Sequence, residues 1–182
     1  MTSSIGARYI ETTLRLLHYY KQLAEGTFEQ LEELDFHFQP SSESNSIAVI
    51  IQHMAGNMIS RWTDFLHSDG EKEWRHRDGE FEIHSYNRQQ LMDLWDKGWS
   101  CFLEALQSIN EDDLLRIVYI RKEPMAVLDA VSRQLAHYPH HIGQILYVGK
   151  IIRNADWKSL SIPKGQSEIY NQKAVIESQA KK

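Results

Sequence analysis

The chain has 182 residues, of which 42% are hydrophobic and 25% charged, and its formal net charge is −5. This length suits a single domain over residues 1–182, and the mild acidity with scattered lysines and arginines argues against a nucleic-acid partner, because phosphate binding needs clustered basic side chains. The one cysteine, Cys101, excludes an intrachain disulfide and a cysteine-based zinc site.

The N-terminal segment MTSSIGARYIETTL has no basic start followed by an apolar stretch, so it predicts no secretory signal. No apolar run in the sequence approaches the roughly 20 residues that a membrane-spanning helix needs. We therefore expect a cytoplasmic protein without a membrane partner.

Two amphipathic helices are predicted in the first third of the chain. Apolar residues at spacings of three and four predict a helix from near Ser4 to near Leu34, which Pro40 and a serine-rich loop follow. Asn45 or Ser46 can cap the second helix, whose apolar stripe continues to Phe65 in sequence. The polar stretch HSDGEKEWRHRDGEF then predicts a long ordered loop.

Two further helices are predicted in the rest of the chain. The third begins near Asn87, and Asn110 can cap a further turn after it. The segment RIVYI is β-rich, but we identify no partner strand for it. The last helix is predicted from about Met125 to Arg153, and residues from about 172 to 182 are expected to be a disordered tail. The predicted fold class is all-α, an antiparallel four-helix bundle with long connecting loops.

The stretch AHYPHHIGQ in the last predicted helix holds three of the nine histidines. His137 and His141 are four residues apart, so their rings project from one helix face, whereas His140 points away from the pair. This is the spacing of HExxH metalloproteases, but the glutamate of that motif is missing, which argues against protease chemistry. Two histidines are too few for a useful metal site, so a third ligand must come from another helix.

The best candidate for the third ligand is His53, in IIQHMAGNM of the second helix. In a helical projection it lies at the border of the apolar stripe, beside Asn57. Gly56 removes a side chain next to it and leaves room for a ligand or a neighbouring backbone. The alternative is that these histidines only pack or face solvent.

The last helix has a second, semi-polar face on which Gln134 and Gln144 accompany the two histidines, so this helix lines something other than a dry core. Pro139 removes one helical hydrogen bond. It either kinks the helix between the histidines and fixes the angle between their rings, or it marks a later helix start. The residues that can orient the ligand rings are Asn57, Gln134, His140 and Gln144.

The charged segment from Glu71 to Glu82 is by default a solvated loop. It becomes functional only if it folds over the mouth of the site. There Arg61, Arg75 or Arg77 could meet an anionic group of a substrate.

Two phrases on predicted helices, HMAGN and HYPHHIGQI, resemble the DinB/YfiT-like superfamily of metal-binding proteins. The phrases RWTDFLHSDGEKEWRHRDGEF and SLSIPKGQSEIYN resemble a bacterial branch of that superfamily described only as a domain of unknown function. The resemblance extends from His53 to Asn171.

The resemblance implies a four-helix bundle in which His53, His137 and His141 coordinate one divalent metal, with water at the open positions. It also implies a homodimer assembled through helices. Neutral imidazoles suit Zn²⁺ or Ni²⁺, and Fe²⁺ or Mn²⁺ are possible because the Irving–Williams order makes ligand type a poor discriminator.

Three functions are compatible with these features. The first is a metal-dependent enzyme, a hydrolase or a thiol transferase, in which the metal activates water or a low-molecular-weight thiol to attack a small electrophile. The thiol is suggested by relatives in the superfamily that the sequence resembles. No residue of the sequence is identified as a general base. The second is a non-catalytic bundle in which the metal joins helices or senses metal or stress, with a fourth ligand such as His18 or Asp64. The third is a dimeric interaction protein without a metal.

Overall fold

The computed structural model describes residues 4–172 and is mostly helical, with a small two-stranded antiparallel sheet. The long elements of this region are α1 (Ile5–Phe28), α2 (Ile47–Trp62), α3 (Arg88–Ser108), β1 (Ile117–Ile120), β2 (Glu123–Ala126) and α4 (Val127–Arg153). Short 3₁₀ helices lie at Glu33–His37, Asp78–Phe81, Glu111–Asp113 and Asn154–Asp156. The predicted disordered tail, apart from Gln172, lies outside the described residues.

Polar caps fix where three of the long helices begin. Ser4 accepts a hydrogen bond from the backbone of α1, and Ser46, not Asn45, does the same for α2. Asn87 and Gln90 form a reciprocal capping box at the start of α3. Each cap satisfies a backbone N–H that the first helical turn leaves without a partner. The predicted cap at Asn110 starts the 3₁₀ helix that follows α3.

The first helix is shorter than predicted, since it ends at Phe28 and not near Leu34. The Arg88 guanidinium at the start of α3 donates to the carbonyls of Phe28 and Leu31, at 2.8 and 2.6 Å. These bonds satisfy carbonyls that a continuing helix would have used. Leu34 kept the apolar period in the sequence, but it is exposed in the 3₁₀ helix that follows.

The β-rich segment RIVYI does have a partner strand, because β1 and β2 form a hairpin. Its turn consists of Arg121 and Lys122, both in the left-handed region with φ of 57° and 65°. Turns of this kind usually contain glycine or asparagine, so the sequence carried no turn signal. Asp69 holds the turn, since its carboxylate accepts from the backbone N–H of Arg121 and Lys122 at 2.8 and 2.7 Å.

The last helix begins at Val127 and runs without interruption through Pro139, which excludes a later helix start. No side chain within residues 4–172 caps it. Instead, the first two N–H groups of α4 donate to the carbonyls of Arg116 and Leu114, each at 2.9 Å. The hairpin region therefore sets where this helix starts.

Helix α2 is the central element, and most of its residues are buried. It packs most extensively against α3 and also contacts α4, while α1 packs against α4. Gly98 of α3 permits the close approach to α2, because a Cβ there would lie 2.9 Å from Ala55 Cα. Within residues 4–172, no helix combines the length and the apolarity that crossing a membrane requires.

Candidate metal centre

Two polar stripes face each other where α2 meets α4. His53, Asn57 and Arg61 are spaced four apart on α2, so they lie along one face of that buried helix. Gln134 and His137 lie on α4 opposite them. Burying polar groups is unfavourable unless each finds a partner, so the chemistry of this interface depends on how these side chains pair.

The three predicted ligands, His53, His137 and His141, come together at this interface. His137 Nε2 lies 3.4 Å from His53 Nε2 and 3.1 Å from His141 Nε2. One ligand atom of each of the three histidines lies within 4.8 Å of the other two. His53 is buried, and the other two are half-buried.

In each of the three rings, the nitrogen that does not face the other histidines, Nδ1, lies next to a side-chain oxygen. His53 Nδ1 donates to Glu80 Oε2 at 3.0 Å, and the Nδ1 atoms of the other two donate to Gln134 Oε1 at 3.3 Å and to Gln144 Oε1 at 2.8 Å. Donation from Nδ1 leaves Nε2 of a neutral imidazole with a free lone pair. The partners therefore set the tautomer that ligates a metal through Nε2.

This donor set fits a divalent cation. Three unprotonated Nε2 atoms facing one another repel unless a cation lies between them. Zn–N bonds of about 2.0–2.1 Å in tetrahedral geometry place two ligand nitrogens about 3.3–3.4 Å apart. This is close to the separations of His137 Nε2 from His53 Nε2 and from His141 Nε2. The three histidines could therefore hold a metal ion.

The electrostatics of the α4 histidines also favour ligation. Burial, together with the nearby charges of His141, His53, Arg133 and Arg61, lowers the pKa of His137 to about 3. Burial also lowers the pKa of His141, and nearby His53 and His140 contribute to this. Both rings are therefore neutral near pH 7, which is the form that binds a metal.

Glu80 comes from the loop that joins α2 to α3, residues 63–87. Arg75 holds its carboxylate with two hydrogen bonds, Nε to Oε1 at 2.7 Å and Nη2 to Oε2 at 2.9 Å. Burial alone would raise the pKa of Glu80, but the hydrogen bonds from His53 and Arg75 outweigh it and lower that pKa. Glu80 is thus an ionised acceptor that orients His53, and its two partners make it a poor general base.

Gly56 leaves the space that the Glu80 carboxylate occupies. A Cβ at this position would lie 2.3 Å from Glu80 Oε1, so any other residue would displace the carboxylate or α2 itself. The sequence analysis predicted room beside His53 for a ligand or a backbone. The structure fills that room with the side chain of Glu80.

The loop of residues 63–87 is hydrogen-bonded to α2 and to β1. Ser60 of α2 donates from Oγ to the carbonyl of Gly70 and accepts from the backbone N–H of Lys72, at 3.0 and 3.1 Å. Gly70 N–H in turn donates to Tyr119 of β1 at 2.8 Å. Phe81 of the same loop stacks on the His53 ring with a centroid distance of 4.6 Å. The charged segment therefore folds against the site, where Glu80 and Phe81 contact His53.

Among the described residues, Asn57 makes its side-chain hydrogen bond to Tyr138 and not to a histidine ring. It accepts a hydrogen bond from the Tyr138 hydroxyl at 3.0 Å, and that hydroxyl accepts one from Trp62 Nε1 at 3.3 Å. Burial raises the pKa of Tyr138, so its hydroxyl stays protonated and can donate. Tyr138 directly follows His137, so this chain of bonds holds α4 in register with α2.

The remaining candidates lie elsewhere. His140 is exposed and contacts Gln144 at 3.4 Å, not the face on which the three histidines meet. Among the described residues, neither His18, Asp64 nor Cys101 belongs to the group of ligand atoms. A separate groove of about 610 Å³ lies beside Cys101, and none of the three histidines lines it.

Glu80 and Phe81 are the site residues that the sequence analysis did not single out. Both lie in a segment without periodicity, and their approach to His53 depends on the fold of the loop. The available signals were Gly56 beside His53 and the charge run that contains Glu80.

Residues 4–166 match a family described as a protein of unknown function, DUF1572. No curated protein matches the chain. Because the family match covers most of the sequence, the chain belongs to the DUF1572 family.

Proposed function

We propose that the protein is a divalent-metal-dependent enzyme, a hydrolase or a small-thiol transferase, with His53, His137 and His141 as the metal ligands. Zn²⁺ or Ni²⁺ suits the site best, and Fe²⁺ or Mn²⁺ would also be bound by such ligands. The observation that carries the proposal is the convergence of three Nε2 atoms whose rings are each oriented from behind by an oxygen.

The number of ligands supports a catalytic site over a structural one. Structural zinc sites use four protein ligands, whereas catalytic sites use three and keep a position for water or substrate. Within residues 4–172, the group contains three ligand residues, and the candidates His18 and Asp64 are not among them. This favours an enzyme over a bundle in which the metal only joins helices.

A divalent cation held by these histidines would lower the pKa of a bound water or thiol and polarise a substrate oxygen. The residues of the chain provide the surroundings. Glu80, Gln134 and Gln144 fix the ring orientations, and Phe81 shields one face of His53 from solvent. An adjoining cleft, lined by His53 and His137, gives a small molecule access to the centre.

The experiment is a comparison of activity with and without metal. The protein is stripped with a chelator, and one equivalent of Zn²⁺ or Ni²⁺ is returned. Hydrolysis of p-nitrophenyl acetate and transfer of glutathione to chlorodinitrobenzene are then measured. We expect at least one activity to appear with the metal and to be absent in His141→Ala.

His140→Ala is the matched control, since it removes a neighbouring histidine that does not face the other three. It should retain both metal and activity. A wild-type protein that binds one metal per chain yet shows no metal-dependent turnover in either assay would contradict the enzyme and favour a structural or sensing role.

We also propose that the long helices form the antiparallel bundle of the DinB/YfiT-like superfamily, and that the protein is a cytoplasmic homodimer. The pairing of α1 with α4 and of α2 with α3 supports the bundle.

Tyr147 and Ile151, one turn apart on α4, are 68% and 42% exposed and offer an apolar surface for a second copy. Light scattering of wild-type protein and of Tyr147→Glu/Ile151→Glu tests this: a dimer that becomes a monomer supports it, and a wild-type monomer contradicts it.

A further inference from the structure

The cleft beside the three histidines is lined by a concentration of arginines. It has a volume of about 170 Å³ and shares His53 and His137 with the candidate metal centre. Its other polar side chains are Asn57 and Gln134. The arginines that line it are Arg61, Arg75, Arg77, Arg121 and Arg133.

The carboxylates around the cleft do not balance these arginines. Glu71 pairs with Arg61, Arg75 and Arg121, at 3.2 to 3.4 Å for the first two and 3.1 Å for the last. Glu80 pairs with Arg75 at 2.7 Å. The remaining partner is a fully exposed aspartate next to Arg77, Asp78, at 3.6 Å. Five arginines against three carboxylates leave about two positive charges in excess, in a chain whose net charge is −5.

Arg61 and Arg75 are the two most buried of the five, with side chains that are 4% and 2% exposed. Among the described residues, the buried Nη1 atom of Arg61 has no hydrogen-bond partner. Leaving a buried charged donor unsatisfied is unfavourable. Burial lowers the pKa of Arg61, and although Glu71 opposes this, Arg75, Arg121 and Arg133 lower it further. An anion in the cleft would relieve the repulsion among these cations.

Two of the other arginines, Arg121 and Arg133, are held at the cleft although nearby carboxylates do not fully neutralise their positive charge. Arg121 sits at the strained hairpin turn, where Asp69 fixes its backbone N–H and where its left-handed φ of 57° is maintained. Backbone strain of this kind persists where the surrounding structure requires a particular placement. Arg133 is exposed on α4 and has no carboxylate partner within the described part of the chain.

We propose that this arginine-lined cleft, Arg61 with Arg77, Arg121 and Arg133, binds the oxyanion of a small substrate beside the metal centre. Guanidinium groups match carboxylate and phosphate oxygens in geometry as well as in charge. The substrate class is therefore an anionic small molecule, a carboxylate or a phosphate ester, whose reactive group lies toward His53 and His137. Naming a substrate rests on the proposed function, whereas anion binding by the cleft does not depend on it.

The volume limits what can bind. With about 30 Å³ for each water in the liquid, a cleft of about 170 Å³ holds the equivalent of about five or six waters. This accommodates a carboxylate or phosphate group with a few further atoms and excludes a large polyanion.

The experiment titrates inorganic phosphate, and separately acetate, into metal-free protein at constant ionic strength, with binding measured by calorimetry. Removing the metal ensures that any binding comes from the protein side chains. We expect phosphate, acetate or both to bind, and the uncharged acetamide not to bind. The stronger of the two anions identifies the substrate as a phosphate or a carboxylate.

The variant Arg77→Gln/Arg133→Gln removes two exposed arginines from the cleft and should weaken anion binding about tenfold, since charge-assisted hydrogen bonds are lost. Its matched control is Arg8→Gln/Arg15→Gln, which removes two exposed arginines from α1 and should bind as the wild type does. Arg61→Gln is a second variant, examined only if its melting curve shows a folded protein.

No anion binding by the wild type, or equal weakening in both double variants, would overturn the proposal. The zinc content of each protein separates this result from the proposed function. Arginine-dependent phosphate binding in a protein that takes up no zinc would support the anion site and contradict the proposed metal-dependent enzyme. Zinc uptake without anion binding would contradict the anion site and leave the metal centre supported.

Discussion

Glu80 Oε2 lies 3.0 Å from His53 Nδ1, although the two residues are 27 positions apart and belong to different elements. The bond places a buried carboxylate behind a candidate ligand ring, where it fixes the ring orientation and increases the basicity of Nε2. Arg75 holds that carboxylate from the other side. A loop residue therefore prepares a histidine of the central helix for ligation.

Glu80→Gln tests this relationship. The change keeps the size of the side chain but removes its charge, so we expect zinc affinity to fall by about 10- to 100-fold, as is typical when a partner behind a ligand is lost. Competition with a chromophoric chelator measures the affinity. Glu82→Gln, an exposed neighbour in the same loop, should bind zinc like the wild type, and equal affinities for all three proteins would contradict the role of Glu80.

Gly56→Ala tests the same bond from α2, the helix that carries His53. An alanine Cβ would lie 2.3 Å from Glu80 Oε1, so the carboxylate must move away from His53, and zinc affinity should fall in the same direction as in Glu80→Gln. The matched control is Gly143→Ala, where an added Cβ meets no atom of the described residues within 4 Å. That change should leave zinc affinity intact and stabilise α4 by about 0.5–1 kcal/mol, because alanine is the better helix former. Unchanged zinc affinity in Gly56→Ala would contradict this expectation, because it would show that the Glu80 carboxylate keeps its place beside an added methyl group.

The three histidines of the candidate metal centre could be identified from the sequence because the features that mark them are local. The spacing of His137 and His141 on one helix and the position of His53 on the edge of an apolar stripe follow from helical geometry alone. Glu80 could not be located in this way, since its contact with His53 depends on how a long loop folds. The hairpin was missed for a related reason: its turn residues, Arg121 and Lys122, adopt a conformation that a remote residue, Asp69, stabilises.

Tyr138→Phe tests the bonds that hold α4 against α2. It removes a buried hydroxyl and leaves Trp62 Nε1 and Asn57 Oδ1 without their partner, so the free energy of unfolding should fall by about 1–3 kcal/mol. Urea denaturation of the metal-free protein measures this. Tyr147→Phe removes an exposed hydroxyl from the same helix and should have an effect below about 0.5 kcal/mol. Similar stabilities for the two variants would contradict a bonding role for Tyr138.

Asp69 should make part of the stability depend on pH. Burial would raise its pKa, but backbone N–H donors from Glu71, Lys122 and Arg121 outweigh this and lower it below the ordinary value of 3.8. A lowered pKa in the folded state means that the stabilisation is present above about pH 4 and is lost as the pH falls through the folded-state pKa. Asp69→Asn should therefore be less stable than the wild type by about 1–2 kcal/mol at pH 7, and this difference should shrink below pH 4. Urea denaturation across this range measures it, and a difference that does not change with pH would contradict the assignment.

The most direct test of the metal centre is the metal content of untagged protein, determined by plasma mass spectrometry after incubation with Zn²⁺ or Ni²⁺ and removal of free ions. The comparison includes His137→Ala/His141→Ala and a control, His18→Ala/His140→Ala, that removes the same number of histidines from outside the group. We predict about one metal per chain in the wild type and the control, and none in the first variant. Equal metal content in all three proteins, or no metal in any of them, would contradict a site built from His53, His137 and His141.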